Sequence, residues 1–414
     1  MIIQALEDGV LNQGDEVWIL AEEVKARKKT FFKDEIPKFQ EIFGHDILAL
    51  VDLKFYSYNI APKYYNQYVE GLKPAPKMIC CDEIEAGLTG KYSKFLGFLK
   101  HGVKILGFTG TLMATKNLYE VEEDTYQPDF FTRQKKVTKN VNKGQMFNMF
   151  LPVIFSRTAA WALEIGLLSP IETTIIYHKL SDKTQVQITK GKKATKNTPA
   201  KPPWFGSEKE YWDFWNKLAR LPTVEQGFKT NVFQMILPRF LYTQPSKIYV
   251  GKKLVEILKG RKVLFFAPRN ESLREMGIPV AEEVYKRVPL KSNPKRTKRV
   301  KVKEVSDWLE EFDKAESIIL GSSKRLQRGV TLEGIDTLVI FLSGKSNTVL
   351  VQSLGRLRRY VHGKVGKVFI IVTKDTYEER WLEKAQIITD YKGKEVGRVD
   401  LNIVKRIPSY RLWD

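Results

Sequence analysis

Apolar residues along the chain fall into short unbroken runs separated by stretches of helical spacing. The runs Glu16 to Ala21, Lys77 to Cys81, Val103 to Phe108, Ile171 to His178, Lys262 to Ala267, Ser317 to Gly321, Thr337 to Leu342 and Lys367 to Val372 each predict a buried strand. A further apolar run spans Ile47 to Leu53. Helical spacing covers Ile2, Ile3, Leu6 and Val10, then residues 24–43, 152–166, Trp204 to Leu221, Gly251 to Lys259 and Gln352 to Arg359. Buried strands alternating with helices predict an α/β fold with mostly parallel sheets, whose sites lie beyond the carboxyl ends of the strands.

The 414 residues suffice for two or three domains. Expected are a first α/β domain over 1–180, a linker or insertion over 181–245, a second α/β domain over 246–384 and a polar tail over 385–414. Within the insertion, Lys190 to Pro203 holds five lysines, three prolines and no acid, which predicts a mobile loop. Trp212 and Trp215 follow it at positions suited to packing.

Charge narrows the partner. Lys and Arg number 69 against 48 Asp and Glu, a net charge of +21 that favours a polyanion, with nucleic acid ahead of a membrane surface. Lys291 to Lys303 carries seven basic residues and no acid, and is expected to be a loop touching the phosphate backbone through Lys295, Arg296, Lys298 and Arg299. No run of about 18 apolar residues and no signal-peptide pattern occurs, so a cytoplasmic protein is expected, in the host cytoplasm if viral. The two cysteines, Cys80 and Cys81, are adjacent within an apolar run and read as buried thiols, with no zinc site.

Four short motifs carry the chemistry, each after a predicted strand. Asp82-Glu83 needs a cation or hydrogen bonds at its strand end: Asp82 suits a Mg²⁺ held through water, and Glu83 suits polarisation of a water for attack on a γ-phosphate. Thr109-Gly110-Thr111 ends the next strand, and Ser322 to Thr331 follows Ser317 to Gly321. In Gln352 to Arg359, a helix places Gln352, Gly355, Arg356 and Arg359 on one face, and two guanidiniums beside a glycine suit phosphate capture. Arg358 lies about 100–200° away around the helix.

In this order the motifs resemble those of the superfamily 2 helicases and translocases, with a closer likeness to phage DNA helicases of the UvsW type. The resemblance implies two RecA-like domains with ATP and Mg²⁺ bound at their interface, and DNA as the partner, with RNA open. It implies catalytic roles for Asp82, Glu83, Gln352, Arg356 and Arg359, the last pair as arginine finger. It implies nucleotide contacts from Gly329, Thr331 and Gly355, and coupling of hydrolysis to strand movement by Thr109, Gly110 and Thr111. Nucleic-acid contacts are expected from Lys247 of the Pro245-Ser246-Lys247 element, and from Arg269, Ser322, Ser323 and Lys324.

One part of the family pattern is missing. Residues 1–414 contain no Gly-x-x-x-x-Gly-Lys-Thr/Ser loop; Gly344-Lys345-Ser346 lacks the earlier glycine, and Gly90-Lys91-Tyr92 fails at its third residue. Residues 1–11 resemble the helix that follows this loop, so the chain is expected to start one element late. Truncation, a loop supplied by a separate polypeptide, or loss of ATP turnover would each account for it. The function expected from the resemblance is an ATP-driven DNA helicase or translocase acting on duplex or branched DNA in phage recombination, repair or replication; the alternatives are a non-hydrolysing nucleic-acid-binding protein on a helicase scaffold and the motor fragment of a restriction or remodelling complex.

Overall fold

The computed structural model describes residues 2–21, 24, 27–28, 31–44, 46–84, 93–108, 118–121, 139–142, 159–190, 203–290, 293–323, 332, 334–342, 344, 347–357, 363–389 and 394–412. The chain divides into two compact units: Met1–Thr158 with Arg328–Thr331 and Ile387–Arg398, and Ala159–Gln327 with Leu332–Gln386 and Val399–Asp414. Each is an α/β unit built on a parallel sheet flanked by helices. Among the described residues no helix is long and apolar enough to cross a membrane.

In the first unit, β1 (Glu16–Ala21), β2 (Asp52–Ser57), β3 (Met78–Cys81) and β4 (Lys104–Gly107) form a parallel sheet in the order β2-β1-β3-β4. Side chains alternate between its faces. Trp18, Leu20, Ile79, Cys81 and Ile105 enter one core, while Val17 and Met78 enter another with Ala5, Leu11 and Ile36. Both faces are therefore covered, which is why these strands are continuously apolar. The run Ile47 to Leu53 splits into the helical turn Ile47–Leu50 and the start of β2. A small antiparallel pair, β5 (Leu118–Val121) and β6 (Lys139–Asn142), also belongs to this unit.

The second unit's sheet has six strands in the order β13-β10-β14-β15-β7-β18. They are β7 (Ile171–His178), β10 (Lys262–Phe266), β13 (Ile318–Ser322), β14 (Thr337–Phe341), β15 (Gly366–Thr373) and β18 (Ile403–Pro408). Its core combines Val263, Phe265, Val339, Phe341, Ile371 and Ile176 with Ile248 and Leu254 of the helix Pro245–Ile257. The antiparallel pair of β8 (Gln185–Thr189) with β9 (Trp204–Ser207) also belongs to this unit, whereas the pair of β16 (Ile387–Thr389) with β17 (Glu395–Arg398) belongs to the first.

Three expectations are corrected. The strand Ile171–His178, expected in the first domain, pairs in parallel with β15 from Gly366↔Ile171 to Thr373↔His178, and with β18 on its other side. β18 comes from the stretch expected to be a polar tail. The basic run expected as a loop is the strand β12 (Asn293–Lys303), paired antiparallel with β11 (Val284–Leu290). Its alternation of Lys301, Val302 and Lys303 is the strand period written in charged residues.

Residues 181–190 and 203–245 fold as part of the second unit. Ser207 and Glu210 form a reciprocal cap on the helix Glu208–Arg220, the Ser207 hydroxyl accepting from the Glu210 amide at 3.1 Å. Trp212 is buried against Tyr377, ring centroids 4.9 Å apart, in a cluster with Val232, Leu237, Leu241 and Trp381. The part of the expected mobile loop over 191–202 lies outside the described residues.

Candidate functional site

β3 delivers Asp82 and Glu83 to the carboxyl end of the first sheet. The turn that holds them is stitched to both neighbouring strands. The Asp82 amide donates to the Leu20 carbonyl at 2.8 Å, Phe108 N–H donates to the Cys81 carbonyl at 2.9 Å, and Ile84 N–H donates to the Phe108 carbonyl at 3.0 Å. The buried Tyr58 hydroxyl donates to the Asp82 carbonyl at 2.8 Å. Gly107 admits the side chain of Ile84, because a Cβ there would lie 2.5 Å from Ile84 Cδ1.

Glu83 takes φ of 49°, left-handed backbone that a side-chain-bearing residue adopts at a cost of about 1–3 kcal/mol. A cost of this kind persists only where the surroundings over-determine the turn, and the four hydrogen bonds above do so. The Asp82 carboxylate is one-third exposed and has a cationic neighbour: Arg27 Nε lies 3.4 Å from Asp82 Oδ2. The same guanidinium holds Glu35 through two nitrogens, one at 3.0 Å. Among the described residues no three His, Cys, Asp or Glu side chains converge into a metal-holding group. Burial pushes the Cys80 thiol up to about 11 and the Cys81 thiol upward as well, so both stay protonated within β3.

In the second unit, the helix Asn347–Leu357 carries Gln352, Gly355 and Arg356. Leu350, Leu354 and Leu357 are buried, Gln352 and Arg356 are half-buried and Gly355 is exposed. The helix is seated close to the sheet because Gly366, at the start of β15, has no side chain; a Cβ would lie 2.5 Å from Leu357 Cγ. Arg359 lies outside the described residues, as do Thr109, Gly110, Thr111, Lys324, Gly329 and Thr331.

Lys247 is not placed for nucleic acid. Its side chain is 1% exposed and its ammonium donates to both Glu378 oxygens, at 2.5 and 2.7 Å, with Glu378 itself fully buried. Burial pushes the Lys247 pKa down while Glu378 pulls it back up. An ammonium so enclosed cannot reach a phosphate. Sequence reasoning had a signal for this: Lys247, Gly251, Leu254 and Leu258 fall on one helical stripe, and all are buried.

The neighbouring polar residues form one network. Glu208, fully buried, accepts from Ser181 N–H at 2.9 Å, from Ser246 N–H at 2.8 Å, from the Ser246 hydroxyl and from Gln244 Nε2 at 3.0 Å. His178 Nε2 lies 2.7 Å from the Ser246 hydroxyl and Nδ1 lies 3.3 Å from Ser409 Oγ. Burial first, and Lys247 second, lower the His178 pKa to about 4.

Of the other expected nucleic-acid contacts, Arg269 is half-buried just before the helix Asn270–Glu275. Ser322 is buried at the end of β13 and lines, with Ser323, a cleft that also takes in Asn270, Glu282, Glu283 and Tyr285. The two carboxylates of that cleft are paired with cations, Glu282 with Arg274 and Glu283 with Lys301 at 3.0 Å. The side chains of Lys295, Arg296, Lys298 and Arg299 are outside the described residues, though their backbone is that of β12.

Comparison with known proteins bears on this second unit. No curated protein sequence matches the chain. Among solved structures, the ATP-dependent Type ISP restriction-modification enzyme LlaBIII bound to DNA aligns at 13% identity and a TM-score of 0.47, over 98% of this chain and 28% of that one. This chain thus spans little more than a quarter of that enzyme. S. cerevisiae Dbp5 bound to RNA and ADP BeF3 aligns at 11% identity and a TM-score of 0.48, over 96% and 78% of the two chains. The Pyrococcus furiosus Hef helicase domain aligns at 12% identity and a TM-score of 0.47, over 92% and 91%. A family match covers the stretch from Lys247 through the helix that carries Gln352 and Arg356: residues 247–361 match the helicase conserved C-terminal domain.

Proposed function

We propose that the chain is the motor portion of a superfamily 2 helicase or translocase that couples ATP hydrolysis to movement on DNA. The observation that carries this reading is the helicase C-terminal match over residues 247–361, which includes the Gln352–Arg356 helix. The net charge of +21 supports a nucleic-acid partner. In this reading Glu83 polarises the attacking water, Asp82 holds the metal, and Arg356 and Arg359 stabilise charge on the transferred phosphoryl group. Asp82 and Glu83 fit magnesium in donor chemistry, since this ion keeps much of its water shell and needs only one or two carboxylates beside the phosphates. Bound there, it would supply positive charge to the phosphate oxygens.

The test is ATP turnover with the phosphate-binding segment present, in the same polypeptide or supplied by a second one. DNA should stimulate hydrolysis, and Glu83→Gln should abolish it. Arg359→Ala should reduce turnover by about 10³-fold or more while DNA affinity stays nearly unchanged, and Arg358→Ala should have a milder effect. If Arg359→Ala loses DNA binding while basal turnover persists, the helix is a nucleic-acid contact and the reading fails.

A further inference from the structure

Strands β11 and β12 form a two-stranded ribbon that pairs with no other strand among the described residues. Val284–Lys303 holds nine basic residues and no acid. An isolated two-stranded ribbon is marginally stable in water, and this one carries further costs. Its register sets Arg287 directly opposite Arg299, a like-charge pair that weakens pairing. Val284, Tyr285, Val300 and Val302 are exposed, Val302 by 61%.

The ribbon is secured at its base, where the acids flanking it are found. Lys301 pairs with Glu283 at 3.0 Å and Glu304 at 3.3 Å. Lys303 donates to both Glu311 oxygens, at 2.6 and 2.7 Å, and its ammonium sits 3.2 Å from the Trp308 ring centroid. Further along the two strands, Lys286, Arg287, Lys295, Arg296, Lys298 and Arg299 have no acidic residue within the ribbon's own sequence. Basic residues occupy both faces by register: Arg287 and Arg299 share one, Lys286 and Lys298 the other.

Charge on both faces suits a partner that surrounds the ribbon with phosphates. The major groove of B-form DNA is about 12 Å wide and admits a two-stranded ribbon, with phosphate walls on both sides. The corresponding groove of an RNA duplex is too deep and narrow to enter. The seven residues of β11 extend about 24 Å, roughly two-thirds of a helical turn of DNA. We propose that the β11–β12 ribbon lies in the major groove of duplex DNA and makes the protein prefer a DNA duplex to an RNA duplex. The proposal rests on the nucleic-acid reading above for its class of polyanion.

The experiment is fluorescence anisotropy of the whole protein with a 5′-labelled DNA duplex, the RNA duplex of the same sequence and the single DNA strand, across a salt series. The wild type should bind the DNA duplex roughly tenfold more tightly than the RNA duplex. The variant Arg287→Gln/Lys298→Gln/Arg299→Gln should lose about tenfold or more on the DNA duplex at 0.1 M salt, with the salt slope reduced by about two to three. Its affinity for RNA duplex and single strand should stay within about twofold. A DNA duplex whose major groove is filled by bulky C5 substituents should bind the wild type as weakly as plain DNA binds the variant. Lys303→Gln, at the anchored base, is the control for net charge and should leave the DNA preference intact.

Equal losses on DNA and RNA duplexes, an unchanged DNA duplex affinity, insensitivity to groove filling, or an equal loss in Lys303→Gln each overturn the proposal. Thermal melting of each variant establishes that it is folded. Duplex binding by the ribbon without DNA-stimulated turnover would overturn the motor reading alone; intact duplex binding in the triple variant would overturn the ribbon alone.

Discussion

Replacing Lys247 by methionine separates a structural role from a nucleic-acid role. Methionine matches the lysine stem in length and shape, so the change removes the charge and leaves little cavity. What it leaves is Glu378, fully buried, with the Thr373 N–H still donating to Oε2 at 2.7 Å but both ammonium contacts gone. Removing one partner of a buried ion pair costs about 3–5 kcal/mol, chiefly because the other charge is stranded. Glu378→Gln alone should cost less, since its amide oxygen still accepts from Thr373 and burial already favours the neutral form of Lys247. The double variant Lys247→Met/Glu378→Gln should regain part of the loss, with a coupling energy of about 2 kcal/mol.

Urea unfolding followed by circular dichroism measures these differences, and anisotropy with labelled DNA measures binding by the folded variants. Lys247→Met should lower stability and leave DNA affinity unchanged. A loss of affinity at unchanged stability would refute the burial argument and return Lys247 to the nucleic-acid surface. Additive single and double effects would refute the pairing.

Two further outcomes follow from packing and titration. His178 has its pKa lowered from the usual 6.5 to about 4, so the unfolded chain takes up a proton in this window that the folded chain refuses. Its contribution of about 3 kcal/mol is therefore complete above pH 6.5 and lost as pH falls through about 4; the difference in unfolding free energy between wild type and His178→Gln should shrink by that amount over this range, and a pH-independent difference would refute it. Gly366→Ala should destabilise the second unit by about 1–3 kcal/mol, because Leu357 must move away from the new methyl group; an unchanged urea midpoint would show that the helix is not seated as described.

The strands were legible because parallel strands covered on both faces are written as unbroken apolar runs. Glu16–Ala21 and Ile171–His178 were read with the bounds they have, and Asp82-Glu83 was read at the end of its strand. What could not be read was which sheet a strand joins. Ile171–His178 is equally apolar in either unit, and its partners, Gly366–Thr373 and Ile403–Pro408, lie far along the chain. The ribbon was missed for a different reason: charge density outweighed a period-two alternation. Lys247 was missed because likeness to a short motif took precedence over the helical stripe on which it lies.

The Pro245-Ser246-Lys247 element is best understood as a clasp. Within four residues, Gln244, Ser246 and Lys247 direct three side chains into the interior, and each meets a residue far away in sequence. Ser246 and Gln244 hold Glu208, the first residue of the helix Glu208–Arg220, while Gln244 Oε1 also accepts from the Thr373 hydroxyl at 3.2 Å. Lys247 meets Glu378, which in turn binds the Thr373 amide at the end of β15. His178, at the end of β7, closes the network through Ser246 and Ser409. Apolar packing alone would tolerate sliding of the helix Pro245–Ile257 over the sheet; buried carboxylates with several fixed donors do not, since any shift leaves a charge unsatisfied. Residues 203–245 are therefore an integral layer of the second unit, and the polar residues at its end set the register in which that layer docks.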